Sequence, residues 1–141
     1  MKRKATAVWQ GGLKDGKGVV STESGVLEKV QYSFSTRFEN GKGTNPEELI
    51  AAAHAGCFAM ALSGQLGNAG LTAQSLEVNC TITMEKLEAG FTIVESALDL
   101  VAKIPGAAKD KFDTAANNAK AGCPISRLLN TKITLNARLE A

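Results

Sequence analysis

One uncharged run constrains this chain more than any other stretch: Leu49 to Leu66, Leu-Ile-Ala-Ala-Ala-His-Ala-Gly-Cys-Phe-Ala-Met-Ala-Leu-Ser-Gly-Gln-Leu. What precedes it reads as a helix start. Asn45 suits the N-cap, Pro46 takes the first helical position, and Glu47 and Glu48 favour the positive end of the helix dipole. Glu48 falls at N3, where it can reach back to the Asn45 N–H as a capping box; Glu47 has no such local duty. A helix over about 45–67 with no charge past its first turn is expected to be buried nearly all round. The run just meets the length of a membrane span. It carries His54, Ser63 and Gln65, is rich in Ala and Gly, and has no basic flank. We read it as a core helix, with no membrane partner.

The rest of the chain sorts into strands and shorter helices. Residues 4–12 and 17–22 read as strands around a turn at 13–16, and 23–36 as irregular, with a short strand at Tyr32–Phe34. The segment 36–43 is turn-rich. Ser75–Glu85 alternates with Leu76, Val78, Cys80, Ile82 and Met84 on one face. Its hairpin partner, Phe91–Lys103, alternates with Phe91, Ile93, Ala97 and Val101. Asp110–Ala121 is a second helix with Phe112, Ala115, Ala116 and Ala119 inward. Cys123-Pro124 opens a short helix through Leu129, and Lys132–Leu139 is a closing strand. The expected class is α+β, with mainly antiparallel sheets around two main helices. With 141 residues, one domain spanning 1–141 is expected.

Charge and cysteine content narrow the function. A net charge of +2, with no Lys/Arg cluster interleaved with aromatics, argues against nucleic acid. Met-Lys-Arg-Lys is followed by Ala-Thr-Ala-Val-Trp rather than an apolar run, so no export signal is expected and the location read is cytoplasmic. Three cysteines in that setting argue for reduced or redox-active thiols rather than a disulfide framework. Their spacing, with one histidine, fits no zinc pattern.

Six residues are weighed for chemistry. Cys57 is either a small hydrophobe of the core or a nucleophile. Cys123 follows a helix-ending glycine and precedes a proline, an N-cap position whose free N–H groups favour a thiolate. Cys80 reads as core packing. Arg37, in a turn before the long helix, is a fixed cation able to lower a thiol pKa and hold a peroxide oxygen. Glu47 is its natural orienter. About 15 Å of helix lies between Glu47 and Cys57, so on one chain these two cannot share a small site. Glu47 must serve a second chain or meet Arg37 by a detour. His54 shares a helix face with Cys57, and a Cys–His pair would suggest acyl transfer or hydrolysis. A satisfied core histidine is the other reading.

Gly-Thr-Asn-Pro-Glu-Glu-Leu-Ile-Ala-Ala-Ala-His-Ala-Gly-Cys-Phe (43–58) and Lys-Ala-Gly-Cys-Pro-Ile-Ser (120–126) resemble the two cysteine motifs of the OsmC/Ohr family, osmotically inducible protein C and the organic hydroperoxide resistance proteins. Val-Ser-Thr-Glu-Ser-Gly-Val-Leu and Phe34–Glu39 resemble the OsmC branch, and the likeness covers essentially the whole chain. The resemblance implies an OsmC-like fold in an intertwined homodimer and a peroxidase acting on organic hydroperoxides and, less efficiently, hydrogen peroxide. It implies Cys57 as the peroxidatic thiolate and Cys123 as the resolving cysteine, joined in an intramolecular disulfide. Arg37 would stabilise the thiolate, oriented by Glu47 from the partner chain. No metal, haem or flavin cofactor is implied; the reductant would be a dithiol of lipoyl type. Two rival functions remain, a Cys57–His54 acyl-transfer or hydrolase site and a non-catalytic stress or ligand-binding domain.

Overall fold

Turns and caps cut the chain into ten elements, and a computed structural model describes them over all residues 1–141. The chain divides into two compact units, Met1–Leu49 and Ile50–Ala141.

In the first unit, β1 (Ala5–Gln10) pairs antiparallel with β2 (Lys17–Thr22), and β2 pairs antiparallel with β3 (Val30–Tyr32). Gly18 on β2 has a structural reason. A Cβ there would lie 2.5 Å from Tyr32 and 2.6 Å from Trp9, whose rings pack over the strand with centroids 5.4 Å apart.

The next segment departs from expectation. Rather than a strand through Phe34 and an open turn region, the chain forms a helix, α1 (Phe34–Phe38). Its reason is local: Ser33 and Thr36 make a reciprocal capping box, and Phe34 packs on Phe38 one turn later at 4.9 Å. The loop beyond α1 is tied back by Thr44 N–H to the Gln31 carbonyl, 2.9 Å, and by Asn45 Nδ2 to the Thr36 carbonyl, 3.1 Å.

The long helix α2 (Pro46–Asn68) starts as expected, with the Glu48 N–H donating to Asn45 Oδ1 at 2.7 Å. The return arm of that cap differs, because the Glu48 carboxylate accepts instead from the Thr44 hydroxyl at 2.8 Å. The expected all-round burial is not found either. One stripe, His54, Phe58, Leu62 and Leu66, is buried, while Met60 on the far side is 81% exposed. Length and composition alone would let this helix cross a membrane. Its buried stripe instead joins the apolar core of the second unit.

That core lies on a three-stranded sheet of order β4-β5-β6. The strands are β4 (Ser75–Leu87), β5 (Gly90–Lys103) and β6 (Lys132–Glu140). β4 and β5 form the expected hairpin, whereas β6 runs parallel to β5, reached by a crossover through α3 (Lys109–Gly122) and α4 (Pro124–Leu128). Phe58, Leu62 and Leu66 of α2 meet Leu98, Leu100 and Ala102 of β5 and Phe112, Ala115, Ala116 and Ala119 of α3.

The inward face of β5 corrects the expectation. Ser96, Leu98, Leu100 and Ala102 are buried, and Ala97 and Val101 are on the other face. A bulge is the cause. Met84 pairs with Ile93 but Thr83 with Glu95, so Val94 is an extra residue that flips every side chain beyond it.

Candidate active site

The second unit builds its site from three elements. α3 ends at Gly122, and Cys123 closes it by donating its N–H to the Ala119 carbonyl at 2.9 Å. The same residue opens α4 as its N-cap, with Pro124 behind it. The Cys123 sulfur, fully buried, accepts from the Ser126 N–H at 3.4 Å and the Ser126 hydroxyl at 3.5 Å. A cap normally supplied by Ser or Asp oxygen is here supplied by sulfur.

Cys57 comes from α2 immediately before the buried Phe58, and it lies close enough to Cys123 for each thiol to shift the ionisation of the other. Both thiols are free, and the Ile125 backbone N–H serves both sulfurs. Their ionisation tendencies diverge. Burial pushes the Cys57 thiol up, the Ile125 N–H offsets part of this, and the neighbouring Cys123 adds to the rise. Burial opposes ionisation at Cys123 too, and is its largest single influence. The Ser126 hydroxyl, the Ser126 N–H, the Cys57 thiol and the Ile125 N–H together outweigh it and bring the Cys123 pKa down. Of the two thiols, Cys123 is thus the one whose surroundings favour the thiolate.

His54 lies one turn before Cys57 and is fully buried. Its Nδ1 meets the Ser96 hydroxyl at 2.6 Å and its Nε2 the Ser126 hydroxyl at 2.8 Å. Both nitrogens are thus occupied by serines, and neither is bonded to Cys57. Burial holds its pKa below the ordinary 6.5. Cys80, on β4, contacts the far side of Ser96 at 3.3 Å; burial raises its pKa, partly offset by that hydroxyl.

In the first unit, α1 presents Arg37 in its last turn and α2 presents Glu47 in its first. Arg37 binds the Glu47 carboxylate through Nε at 3.1 Å and through a terminal nitrogen at 2.7 Å, a two-pronged pair. The expectation that Glu47 reaches Arg37 from a partner chain is corrected. The two meet within one chain, because Asn45 ties the start of α2 to the end of α1. Glu47 is the more buried partner, with 13% of its side chain exposed against 39% for Arg37.

The structure thus brings together Cys57 with Cys123 and Arg37 with Glu47, each pair in its own unit. Ser96 and Ser126 were not singled out from the sequence. Ser126 carries one visible mark, its place at N3 of a helix capped by Cys123. Ser96 is a polar residue in phase with Leu98 and Leu100, recognisable only once the bulge is known. No group of three or more His, Cys, Asp or Glu is arranged to hold a metal ion.

Comparison with known proteins adds an independent line. Residues 39–138 match the model of the OsmC-like protein family. Peroxiredoxin OsmC of Escherichia coli is 50% identical over 139 residues, 99% of this chain and 97% of that protein. The organic hydroperoxide resistance protein of Xanthomonas axonopodis pv. citri is 27% identical over 129 residues, 91% of this chain and 88% of that one. Among solved structures, the OsmC-like protein from Mycoplasma pneumoniae matches with a TM-score of 0.79 at 17% identity, covering 100% of this chain and 99% of that one. At that identity the likeness speaks to the fold.

Proposed function

Because the chain belongs to the OsmC-like protein family, we propose that it is a thiol peroxidase of stress defence that reduces organic hydroperoxides to alcohols and, less efficiently, hydrogen peroxide to water. The Cys57 thiolate attacks the distal peroxide oxygen. The O–O bond breaks, the alkoxide takes a proton and leaves as the alcohol, and Cys57 becomes a sulfenic acid. Cys123 displaces the sulfenic hydroxyl, which leaves as water, and an intramolecular disulfide forms. A dithiol, of lipoyl type in our reading, returns both cysteines to the reduced state.

The observation that carries this reading is that Cys57 and Cys123 are near enough to influence each other's ionisation, with Cys123 as the N-cap of α4. Burial raises the pKa of Cys57. Its activation needs a cation, and Arg37, already oriented by Glu47, is the one we assign. Helix length separates Glu47 from Cys57 along α2, so we assign the Arg37–Glu47 pair to the Cys57 of a second copy, in an intertwined cytoplasmic homodimer. The exposed, uncharged side of α2 around Met60 is consistent with a covered face in that dimer. A Cys57–His54 hydrolase is disfavoured by one fact: both imidazole nitrogens are engaged by serines.

The test is one equivalent of cumene hydroperoxide added to reduced protein, followed by a non-reducing peptide map. A rapid Cys57–Cys123 disulfide, lost in Cys57→Ser, is expected. Slow, unselective oxidation with no such disulfide would overturn the two-cysteine mechanism and favour the ligand-binding alternative.

A further inference from the structure

The polar groups behind Cys123 form one continuous chain: Cys80, Ser96, His54, Ser126 and Cys123. It crosses from β4 through β5 and α2 to α4, all within the second unit. His54, Ser96 and Cys123 are fully buried and Ser126 nearly so, and every buried side-chain nitrogen and oxygen has a partner. In a protein interior such a chain must have a consistent direction of donors, because each hydroxyl has one proton and a neutral imidazole has one N–H.

The direction can be derived from one end. The Ser126 hydroxyl donates to the Cys123 sulfur, so its oxygen is left to accept from His54 Nε2–H. That tautomer makes Nδ1 the acceptor for the Ser96 hydroxyl, whose oxygen accepts in turn from the Cys80 thiol. All donors then point toward Cys123. The opposite direction requires the Cys123 thiol to donate to the Ser126 oxygen, against the Ser126 hydroxyl donating to that sulfur. The titratable groups facing this chain are Cys57 and His54 from α2, Cys80 from β4 and Cys123 itself. No acidic or basic side chain hydrogen-bonds to any of them.

We infer that His54, acting through the Ser126 hydroxyl, is a positioning residue for Cys123: it fixes that hydroxyl as a donor and keeps the Cys123 sulfur as the thiolate that attacks, and later leaves from, the sulfur of Cys57. The redox steps rest on the peroxidase reading above. In the oxidative step the Cys123 thiolate forms the S–S bond, the Cys57 S–O bond breaks, and the departing hydroxide takes a solvent proton. In the return step the dithiol attacks the more accessible sulfur, Cys57, because Cys123 is fully enclosed. The S–S bond breaks and Cys123 departs as a thiolate into the waiting Ser126 donor. The second thiol of the reductant then closes its own disulfide, supplying the two electrons that restore Cys57. A low-pKa thiol is the better leaving group, so the same donor chain speeds both halves of the cycle.

The test isolates Cys123 as the sole thiol in a Cys57→Ser, Cys80→Ala background and follows thiolate absorbance near 240 nm against pH. Ser126→Ala is expected to raise the midpoint by about one pH unit, tenfold in proton affinity, as suits loss of a hydrogen bond to a charged group. Ser126→Thr, which keeps the hydroxyl, is expected to restore it. His54→Gln, which keeps a donor toward Ser126, is expected to shift the midpoint less than His54→Phe. Should His54→Phe fail to fold, the Ser126 pair decides alone. An unchanged midpoint in Ser126→Ala, or equal shifts in the alanine and threonine variants, overturns the inference.

A kinetic arm separates this from the peroxidase reading. With Cys57 and Cys123 both present, Ser126→Ala is expected to slow disulfide formation about tenfold relative to sulfenic acid formation. A ratio equal to wild type overturns the inference while leaving the peroxidase intact. Wild-type protein that forms no sulfenic acid overturns the peroxidase, and the thiolate titration still reads the role of His54.

Discussion

The two polar sites of this chain are built on opposite electrostatic principles. Arg37 and Glu47 are full charges held against each other at a partly solvated surface, where water shares the cost of ionisation. Cys123 sits in a dry interior and is surrounded by neutral donors alone: two serine groups, a thiol and a backbone N–H. The difference follows from desolvation. A buried ion costs several kcal/mol even after relaxation, so a buried thiolate is better matched by short dipoles than by a buried cation. Burial raises the pKa of Cys57, so in our reading it needs a cation to become a thiolate. A paired surface charge and a buried donor chain are separate levers, and each can be pulled alone.

The largest expected effect comes from removing the cation. Arg37→Ala is expected to lower kcat/KM for cumene hydroperoxide by about 10²–10³, the usual loss when one aimed charge-stabilising donor is deleted. Arg37→Lys keeps the charge and loses the fork, and is expected to recover only part of that rate. Steady-state peroxide consumption measures both. An Arg37→Ala enzyme within threefold of wild type would show that Cys57 is activated by its own unit after all, and the contrast between the two sites would lose its functional meaning.

The next effect concerns the interior side and is read as stability against pH. His54 is neutral in the folded state because burial holds its pKa below 6.5. In the unfolded chain it takes up a proton as pH falls through about 6.5, and the folded chain does not follow until lower pH. The unfolded state then binds more protons, so stability is full above this value and declines as pH drops from 7.5 toward 5.5. It is the only histidine, so the slope is attributable. Thermal melts across that window are expected to show a falling Tm in wild type and a flatter profile in His54→Gln. A wild-type Tm independent of pH there would mean that His54 takes up its proton as readily in the folded as in the unfolded chain, and the donor direction would have to be redrawn.

How much of this was legible in the sequence depends on how local the determinants are. The inward face of α3 was readable, since Phe112, Ala115, Ala116 and Ala119 recur at helical spacing and nothing distant overrides them. So was the Cys123 cap, because Gly-Cys-Pro carries a helix stop and a helix start within three residues. The β5 face was misread because Phe91 and Ile93 set a phase that the extra residue at Val94 reverses. Charges at Asp99 and Lys103, both exposed, marked the outer face and were the better guide. The two serine partners of His54 lie 42 and 72 residues away, and no local pattern announces a contact of that range. α2 failed differently. Its composition is that of an enclosed helix, but one chain covers only one stripe of it.

The smallest effect tests whether Glu47 merely aims Arg37. Glu47→Gln preserves the size of the side chain and one carbonyl acceptor while removing the negative charge. The pair is partly solvated, so the loss of stability is expected to stay within about 1 kcal/mol, and to shrink in high salt as the wild-type attraction is screened. Activity is expected to fall several-fold, well short of Arg37→Ala, because the guanidinium keeps its charge and loses only its two-pronged anchor. The informative quantity is the double mutant. If Glu47 acts through Arg37 alone, adding Glu47→Gln to Arg37→Ala costs nothing further in kcat/KM, since the residue being aimed is already gone. Additive losses would give the carboxylate a task of its own at the peroxide, and the surface site would then contain two working groups rather than one and its support.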